Sequence, residues 1–287
     1  MLTLQARAKL NLTLEVLGKR PDGYHETASI VQTLELADTV TVEPCDSLIV
    51  TCSAPDLDNE SNLSWKAADL LRREYGVATG ARISIEKHIP ESAGLGGGSA
   101  DAATTMVGLN SLWGLGLSPD QLRALAAELG SDVPFLVDGG TAIALGRGER
   151  IRSLPTAPLP WFVFALPAST RRDKTAFMYK SITEENYTRG GLTRKLEARI
   201  RSKGDIPAQF LFNAFDTVAR EVEPDVGRCW SDMYAAGARE IHVAGSGPTV
   251  YAAVERKEVA TAVHLVMERI KGWPSIISRA WPDVESG

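Results

Sequence analysis

The stretch His88–Ala103 reads HIPESAGLGGGSADAA, and it decides how the rest of the chain is interpreted. It places four glycines within five positions: Gly94, Gly96, Gly97 and Gly98. Glycine destabilises a folded domain unless the backbone needs a positive φ or another group must approach it closely. The density of glycines therefore indicates a backbone segment that a ligand approaches. A flexible surface loop is the alternative for such a cluster taken alone.

The flanks of this stretch favour a positioned loop. Ala81–Lys87 alternates apolar and polar residues as a strand does, Pro90 stiffens the segment after it, and Ser99 is the predicted N-cap of a helix running to Trp113. A glycine loop that leads into a helix gathers unpaired N–H groups at the positive end of the helix dipole, which favours phosphate. The order fits neither G-x-x-x-x-G-K-[ST] nor G-x-G-x-x-G, so both common nucleotide motifs are excluded.

The composition is that of a globular protein. The 287 residues are 44% hydrophobic and 23% charged, which is enough for a sizeable core and for two domains. The formal net charge is -5 and no basic run stands out, so we expect no nucleic acid partner. Phosphate binding must therefore be a local property of the glycine stretch.

Cysteine usage and hydropathy predict a cytoplasmic protein without a membrane partner. The cysteines show no C-x-x-C spacing, which argues against a disulfide framework or a zinc site: Cys45, Cys52 and Cys229. Arg7 and Lys9 interrupt any secretory signal. The uncharged stretch Ser153–Thr170 contains four prolines, which would break a spanning helix. We interpret it as a linker followed by a buried strand.

The amino-terminal stretch Leu2–Leu17 is predicted to be a half-buried strand, because its leucines alternate with polar residues. Lys9 and Asn11 have the same parity and point away from the leucines, so both side chains can reach toward one ligand. A solvated lysine is the alternative. The turn Gly18–His25 follows, and it presents an aromatic ring and an imidazole, Tyr24 and His25, that could stack on and hydrogen-bond a flat ring. The alternative is that the tyrosine covers the edge of the core and that the histidine beside it is incidental.

The remaining patterns predict an α+β architecture. Predicted helices are Asn62–Tyr75 with Ser61 or Asn62 as cap, Ser118–Gly130, Asp173–Ile182, Leu192–Arg201, Pro207–Val222, Asp225–Ala236 and Val259–Ile270. Predicted strands are Ser29–Leu36, Thr39–Glu43, Leu48–Cys52, Trp161–Leu166, Ile241–Ala244, Thr249–Val254 and Ser275–Ala280.

Two further features are candidates for function. Asp132 lies at a turn beside Val133, Pro134 and Phe135, where desolvation would raise its pKa toward that of a general base. An aspartate that caps the short turn at Pro134 is the alternative. The turn Gly245–Gly247 is a second segment rich in exposed backbone, and a tight hairpin explains it equally well.

Four motifs together resemble the GHMP kinase superfamily: ARAKLNLTLEVLGKRPDGYHE, IPESAGLGGGSADAA, GSDVPF and AGSGPTVYA. The resemblance covers most of residues 1–150 and the late glycine turn, and it is weakest over Arg171–Glu223. It implies a two-domain α+β fold. Residues 1–155 would form an ATP-binding domain of the ribosomal protein S5 domain 2-like type, and residues 156–287 a ferredoxin-like, substrate-side domain.

Within this superfamily, the motifs are most similar to kinases of the non-mevalonate isoprenoid pathway. The resemblance implies ATP and Mg²⁺ as cofactors and phosphorylation of a tertiary hydroxyl on the methylerythritol end of a cytidine diphosphate conjugate. The implied catalytic residues are Lys9 and Asp132. The implied ATP-binding residues are Pro90, Glu91, Ser92, Ala93, Gly94, Leu95, Gly96, Gly97, Gly98, Ser99, Ala100, Asn62, Leu63 and Lys87. The implied substrate-binding residues are Asn11, Tyr24, His25, Thr175, Tyr179 and Ser246.

Some points stay open on the sequence alone. Phe177 competes with Tyr179 as the ring that closes over the cytosine, and Ser99 is a possible magnesium ligand. Ala100 and Ala244 stand where the family often has hydroxyl residues, which removes a phosphate contact at each position without removing the cradle. Alternative functions are a homoserine, mevalonate or sugar-phosphate kinase and a non-catalytic nucleotide-binding paralogue. The sequence predicts no oligomeric state.

Overall fold

The computed structural model describes residues 1–168, 173–204 and 206–282. This part of the chain divides into two compact units that interleave along the sequence. Unit 1 consists of Met1–Lys9, Leu36–Ser92 and Gly96–Gly139. Unit 2 consists of Leu10–Glu35, Ala93–Leu95 and the described residues from Gly140 onward. The domain boundary between residues 155 and 156 stays a prediction, since these units follow packing contacts and not chain order.

Two long strands contribute residues to both units, β1 (Leu2–Lys19) and β2 (His25–Cys45). Within unit 1, the second half of β2 pairs antiparallel with β4 (Gly80–Glu86), and β3 (Leu48–Cys52) pairs parallel with β4. The two strands predicted over Ser29–Leu36 and Thr39–Glu43 are thus one continuous strand. The helices of unit 1 are α1 (Leu63–Glu74), α2 (Gly97–Leu112), α3 (Pro119–Leu129) and α4 (Val133–Asp138).

Three helix caps are predicted from the sequence of unit 1, and the structure confirms two of them. Asn62 caps α1 by accepting the Ser64 N–H, as predicted. Ser118 forms a capping box with Gln121 at the start of α3. The prediction that Ser99 caps α2 is wrong: the helix begins at Gly97, and Gly96 with φ of 73° is the N-cap. A left-handed glycine lets the helix begin before the serine, whose side chain therefore lies in the first turn.

Unit 2 contains a four-stranded antiparallel sheet made of β7 (Trp161–Ala165), β9 (Glu240–Val243), β10 (Val250–Val254) and β11 (Ser275–Ser278). The order of the strands across the sheet is β11-β7-β10-β9. Helices connect β7 to β9 and β10 to β11, which is the ferredoxin-like β-α-β-β-α-β arrangement that the resemblance implies. Phe162, Phe164 and Tyr251 pack on one face of this sheet, while Val163 and Ala165 belong to the core on the other. Burial on both faces explains the continuous apolar run at β7.

The other elements of unit 2 are the strands β5 (Thr141–Gly146), β6 (Arg150–Leu154) and β8 (Phe212–Asn213), and the helices α5 (Lys174–Ser181), α6 (Gly191–Arg201), α7 (Asp216–Val222), α8 (Pro224–Ala235) and α9 (Lys257–Leu265). β5 pairs antiparallel with the first half of β2 and with β6, and β8 pairs parallel with β1. The helix predicted over Pro207–Val222 is wrong in its first half, where a 3-10 turn and β8 precede α7. None of the helices that the structure describes is long and apolar enough to span a bilayer.

Candidate active site

The first feature of the site is an ion pair in unit 1 between Lys9 on β1 and Asp132 at the start of α4. The lysine Nζ lies 3.3 Å from Asp132 Oδ2. The lysine side chain is 6% exposed, whereas the aspartate side chain is 41% exposed. One partner is thus fixed in the protein, and the other presents its carboxylate to incoming molecules.

The structure differs from the sequence-based expectations that Asp132 caps a helix or that apolar neighbours desolvate its carboxylate. It occupies the N-cap position of α4, but its side chain makes no capping hydrogen bond. Its exposure also means that Pro134 and Phe135, which are buried, do not desolvate the carboxylate as expected. The local sequence places the residue at a helix start, and the charge of Lys9 orients its side chain.

The glycine stretch wraps the stem of this same lysine. A Cβ added to Gly96 would lie 2.8 Å from Lys9 Cγ, closer than real Cβ atoms approach other atoms. Gly96 also has a φ of 73°, which side chains other than glycine rarely adopt. Both observations require glycine at this position. The loop therefore passes directly over the lysine and then begins α2, whose first N–H groups have no partner within the helix.

A second close approach occurs within unit 2, where the backbone at Ala244 lies against Gly94. A Cβ at this position would lie 2.1 Å from the carbonyl oxygen of Ala244, at the second glycine turn between β9 and β10. Asn213 holds that turn by donating to the carbonyl oxygens of Val243 and Gly245, each at 2.7 Å. The two segments rich in backbone, predicted separately from the sequence, therefore meet at Gly94. In the rest of the stretch, Glu91, Ser92 and Gly98 are exposed, Ala93, Leu95 and Ala100 are buried, and Pro90, Gly97 and Ser99 are partly buried.

The start of α1 lies beside the start of α2. A Cβ added to Gly98 would lie 3.8 Å from Leu63 Cδ1, an ordinary contact distance. Asn62 is buried, and its side chain both caps α1 and donates to the carbonyl oxygen of Leu57 at 2.9 Å. Asn62 and Leu63 are therefore close to the glycine segment, but the Asn62 side chain serves the local backbone.

Lys87 has a different environment from the one expected of a nucleotide ligand. Its Nζ lies 2.5 Å from Asp38 Oδ2 and 2.6 Å from Asp101 Oδ2, and all three side chains are nearly inaccessible to solvent. Burial lowers the pKa of the Lys87 ammonium, but the two carboxylates outweigh that effect and hold the pKa above its usual value. Sequence reasoning missed Asp38 and Asp101. One signal was present, because Asp101 is the only charged residue between Glu91 and Asp120.

Unit 2 brings together aromatic residues around His25. The His25 ring lies 5.2 Å from the Tyr179 ring, measured between centroids, and 6.2 Å from the Tyr187 ring. The Tyr179 ring in turn meets Phe215 edge-on at 4.9 Å. Burial, with a smaller effect of Lys19, lowers the pKa of His25, so the imidazole stays neutral at neutral pH. A neutral imidazole offers one donor and one acceptor to a heterocyclic edge.

Tyr24 is separate from that aromatic group. Its side chain is exposed, and the Arg147 guanidinium lies 4.7 Å from the ring centroid. The guanidinium covers one face of the Tyr24 ring, so a flat ligand could stack only on the other face. Sequence reasoning missed both Arg147 and Tyr187, since neither belongs to a recognisable motif.

The other predicted substrate residues of unit 2 form two hydrogen-bonded groups. Asn11 is buried and donates to Ser29 Oγ at 2.8 Å, and Ser29 donates to the carbonyl oxygen of Thr13. Thr175 and Ser246 lie with their hydroxyl oxygens 3.2 Å apart. Thr175 thus connects the start of α5 to the second glycine turn.

Among residues 1–168, 173–204 and 206–282, no three His, Cys, Asp or Glu side chains converge as a metal-binding group. Magnesium commonly takes one or two protein oxygens and fills its remaining positions with water and phosphate oxygens.

The chain is similar to known kinases over most of its length. The family model of the GHMP kinases N terminal domain matches residues 62–140. A 4-diphosphocytidyl-2-C-methyl-D-erythritol kinase from Dehalococcoides mccartyi is 40% identical over 265 residues, which is 92% of this chain and 93% of that relative. A crystal structure of 4-(cytidine 5'-diphospho)-2C-methyl-D-erythritol kinase aligns with a TM-score of 0.80 at 31% identity, over 96% of this chain and 98% of that one. A mevalonate kinase structure aligns with a TM-score of 0.69 at 15% identity over 98% of this chain and 99% of its own, a likeness of fold alone.

Proposed function

The chain belongs to the 4-diphosphocytidyl-2-C-methyl-D-erythritol kinases of the GHMP kinase superfamily, and from this membership we propose the reaction that it catalyses. The γ-phosphoryl group of ATP is transferred to the 2-hydroxyl group of 4-diphosphocytidyl-2-C-methyl-D-erythritol, a step of the non-mevalonate isoprenoid pathway. The observation that carries the proposal is the ion pair of Lys9 and Asp132 beneath Gly96. A non-catalytic paralogue would have no need of it.

Asp132 is the proposed general base. Its exposed carboxylate accepts the proton of the substrate hydroxyl, while the oxygen of that hydroxyl forms a bond to the γ-phosphorus and ADP leaves. Lys9 lies 3.3 Å from the same carboxylate and is nearly buried, so its position is fixed before substrate binds. Its charge orients the carboxylate and stabilises the negative charge that develops on the attacking oxygen.

Pro90–Ala100 is the proposed binding segment for the triphosphate. The start of α2 supplies unpaired backbone donors and the positive end of the helix dipole, both of which favour an anion. Asn62 and Leu63 border this segment and are proposed to line the nucleotide side. Lys87 lies beside Gly97, but its ammonium is held by two buried carboxylates and is not proposed as a nucleotide ligand. Magnesium, when bound, neutralises charge on the phosphates, and Ser99 in the first turn of α2 is our candidate for a protein ligand.

The proposed recognition of the cytidine part depends on Tyr24, His25 and Tyr179. The neutral His25 imidazole can hydrogen-bond the edge of the base. Tyr179 is preferred over Phe177 as the covering ring because its ring faces His25 at 5.2 Å. Asn11, Thr175 and Ser246 are proposed to contact the rest of the substrate.

We place the reaction in the cytoplasm. The three cysteines are free thiols, as a reducing compartment keeps them.

The substrate assignment is tested by offering the purified protein MgATP with each of three acceptors in a coupled assay for ADP. The acceptors are the cytidine diphosphate conjugate, mevalonate and homoserine. We expect efficient turnover with the conjugate only, because the small aliphatic acceptors offer nothing for the Tyr24 and Tyr179 rings to bind. Preferential phosphorylation of mevalonate or homoserine would contradict the assignment.

A further inference from the structure

The proposed reaction leaves a buried charge cluster in unit 1 without a role. This cluster consists of Lys87, Asp38 and Asp101, which come from the end of β4, from β2 and from α2. It lies next to the glycine segment, because a Cβ added to Gly97 would lie 3.3 Å from Lys87 Nζ. Buried charges are costly unless they are paired and hydrogen-bonded, so a cluster at this place calls for a function.

Asp38 holds the chain where it enters the glycine segment. One oxygen of its fully buried carboxylate accepts the backbone N–H of His88 and that of Ile89, the latter at 2.7 Å. The other oxygen accepts from the Lys87 ammonium. Three consecutive residues are thus bound to one carboxylate, directly before Pro90. Hydrogen bonds to a charged acceptor are stronger than neutral ones, so this contact fixes the backbone at the start of the phosphate segment.

Asp101 connects the same lysine to the helix at the other end of the segment. It lies one turn after Gly97, and its Oδ2 is 2.6 Å from Lys87 Nζ. Lys87 therefore joins the entrance of the glycine segment, through Asp38, to the first turns of α2, through Asp101. A shift of either end would separate a charge from its partner in a site that water does not reach.

The cluster holds more negative than positive charge. One ammonium faces two carboxylates, and Asp101 Oδ1 is buried without a hydrogen-bond partner among the described residues. Burial, reinforced by the neighbouring Asp38 carboxylate, raises the pKa of Asp101 to about 7 even though Lys87 opposes the change. Cys52 at the end of β3 lies near the cluster, and burial raises the pKa of its thiol, so the thiol stays neutral. The Glu91 carboxylate adds a smaller effect that also raises the pKa of Cys52.

We propose that Lys87 is a positioning residue of the phosphate segment, tying its entrance at Asp38 to the start of α2 at Asp101. The lysine keeps the backbone N–H groups at the start of α2 in the arrangement that receives the phosphates, so the affinity for MgATP depends on the cluster.

The inference rests on the proposed function, since it assumes that the segment binds a triphosphate. The decisive experiment measures, for the wild type and Lys87→Gln, the MgATP dissociation constant by calorimetry and the rate of phosphoryl transfer at saturating MgATP. We expect the dissociation constant to rise about tenfold while the rate at saturation stays within a few fold of the wild type, because the lysine positions the phosphate segment and does not act on the reacting atoms.

Asp38→Asn tests the other end of the cluster, and Asp69→Asn is the matched control. Asp69 pairs with the exposed Arg73 on α1, so its replacement should change nothing. For Asp38→Asn we expect an MgATP dissociation constant raised about tenfold, because a charged acceptor of two N–H groups is lost. We also expect faster amide hydrogen exchange at His88 and Ile89 in the absence of nucleotide.

The outcomes separate the two proposals. Failure of the wild type to bind MgATP contradicts the proposed function, whereas the exchange measurement tests the positioning role without any nucleotide. Wild-type affinity for MgATP in a folded Lys87→Gln protein overturns the positioning role. Unchanged exchange in a folded Asp38→Asn protein overturns it as well. If the Asp38→Asn variant does not fold, the Lys87→Gln comparison still decides.

Discussion

Two lysines flank the glycine segment, and their surroundings differ in a way that separates chemistry from architecture. Lys9 packs its stem under Gly96 and lies 3.3 Å from a carboxylate that solvent reaches. Lys87 packs its ammonium beside Gly97 and lies within 2.6 Å of two carboxylates that solvent hardly reaches. The first pair can exchange partners when a substrate arrives. The second cannot do so without exposing a buried charge.

A lysine beside a phosphate segment is therefore not by itself a phosphate ligand. The accessibility of its carboxylate partner decides whether the pair can take part in proton and phosphoryl transfer. The Asp132 carboxylate is open to solvent, whereas the Asp38 carboxylate is buried and already accepts two backbone N–H groups.

The largest effect is expected from Asp132→Asn. The amide cannot accept the hydroxyl proton, so we expect kcat to fall by about a hundredfold or more while the MgATP dissociation constant stays within about twofold. Steady-state kinetics and calorimetry on the same preparation provide the two numbers. Near-normal turnover would mean that Asp132 only marks the start of α4.

Gly96→Ala should have the next largest effect. A methyl group there would contact Lys9 Cγ at 2.8 Å and would require a left-handed alanine, so the lysine must move. Misplacement of a catalytic group by about 1 Å can cost a hundredfold in rate, and we expect a loss of tens of fold in kcat. Gly98→Ala is the matched control in the same segment, since the atom nearest to a Cβ there would be Leu63 Cδ1 at 3.8 Å. Equal losses in both variants would argue against the role of the Lys9 contact.

Tyr24→Ala should affect the cytidine substrate and not ATP. Stacking of a base on an aromatic ring contributes about 1 to 3 kcal/mol, so we expect KM for the cytidine diphosphate conjugate to rise about tenfold. Tyr234→Ala is the control, because Tyr234 is equally exposed and also has an arginine over its ring, Arg239 at 4.4 Å. A rise in KM that is shared by both variants, or absent from Tyr24→Ala, would remove the stacking role.

The smallest effect concerns stability and pH. Folding raises the pKa of Asp101 from its ordinary value of 3.8 to about 7, so the folded state favours the protonated acid. This contribution to the free energy of unfolding is fully present below about pH 4 and is lost as the pH rises through about 7. Urea unfolding of wild type and Asp101→Asn should therefore show the variant gaining stability relative to the wild type across that window. A difference in the free energy of unfolding that does not change with pH would contradict the raised pKa of Asp101 in the folded state.

Much of the fold could be predicted from local sequence. The Asn62 and Ser118 caps and the alternating strand residues each act within a few positions, so a single segment carries the whole signal. The same is true of the glycine stretch, whose composition alone indicated a close approach to backbone. Its partners at Lys9 and Ala244 were not readable, since they are distant in sequence.

The wrong predictions have physical causes of the same kind. Serine is a better cap than glycine, so the sequence predicts that α2 starts at Ser99, but the left-handed Gly96 lets the helix begin earlier. Pro207–Val222 has helical spacing, yet Phe212 and Asn213 pair with β1, and that tertiary contact overrides the local preference. The sequence does not identify Asp38 and Asp101 as buried, because an acidic residue on a strand or a helix is usually solvated and only the structure shows its buried partner.

One measurement tests the contrast of the two lysines most directly: single-turnover phosphoryl transfer by Lys9→Gln and Lys87→Gln at saturating MgATP. We expect Lys9→Gln to lose about a hundredfold in rate even at saturation, because the lysine ammonium acts on the transition state. We expect Lys87→Gln, once saturated with MgATP, to recover a rate within a few fold of the wild type and to show its defect in the MgATP dissociation constant. Equal losses of rate at saturation in the two variants would contradict the different roles of the two lysines.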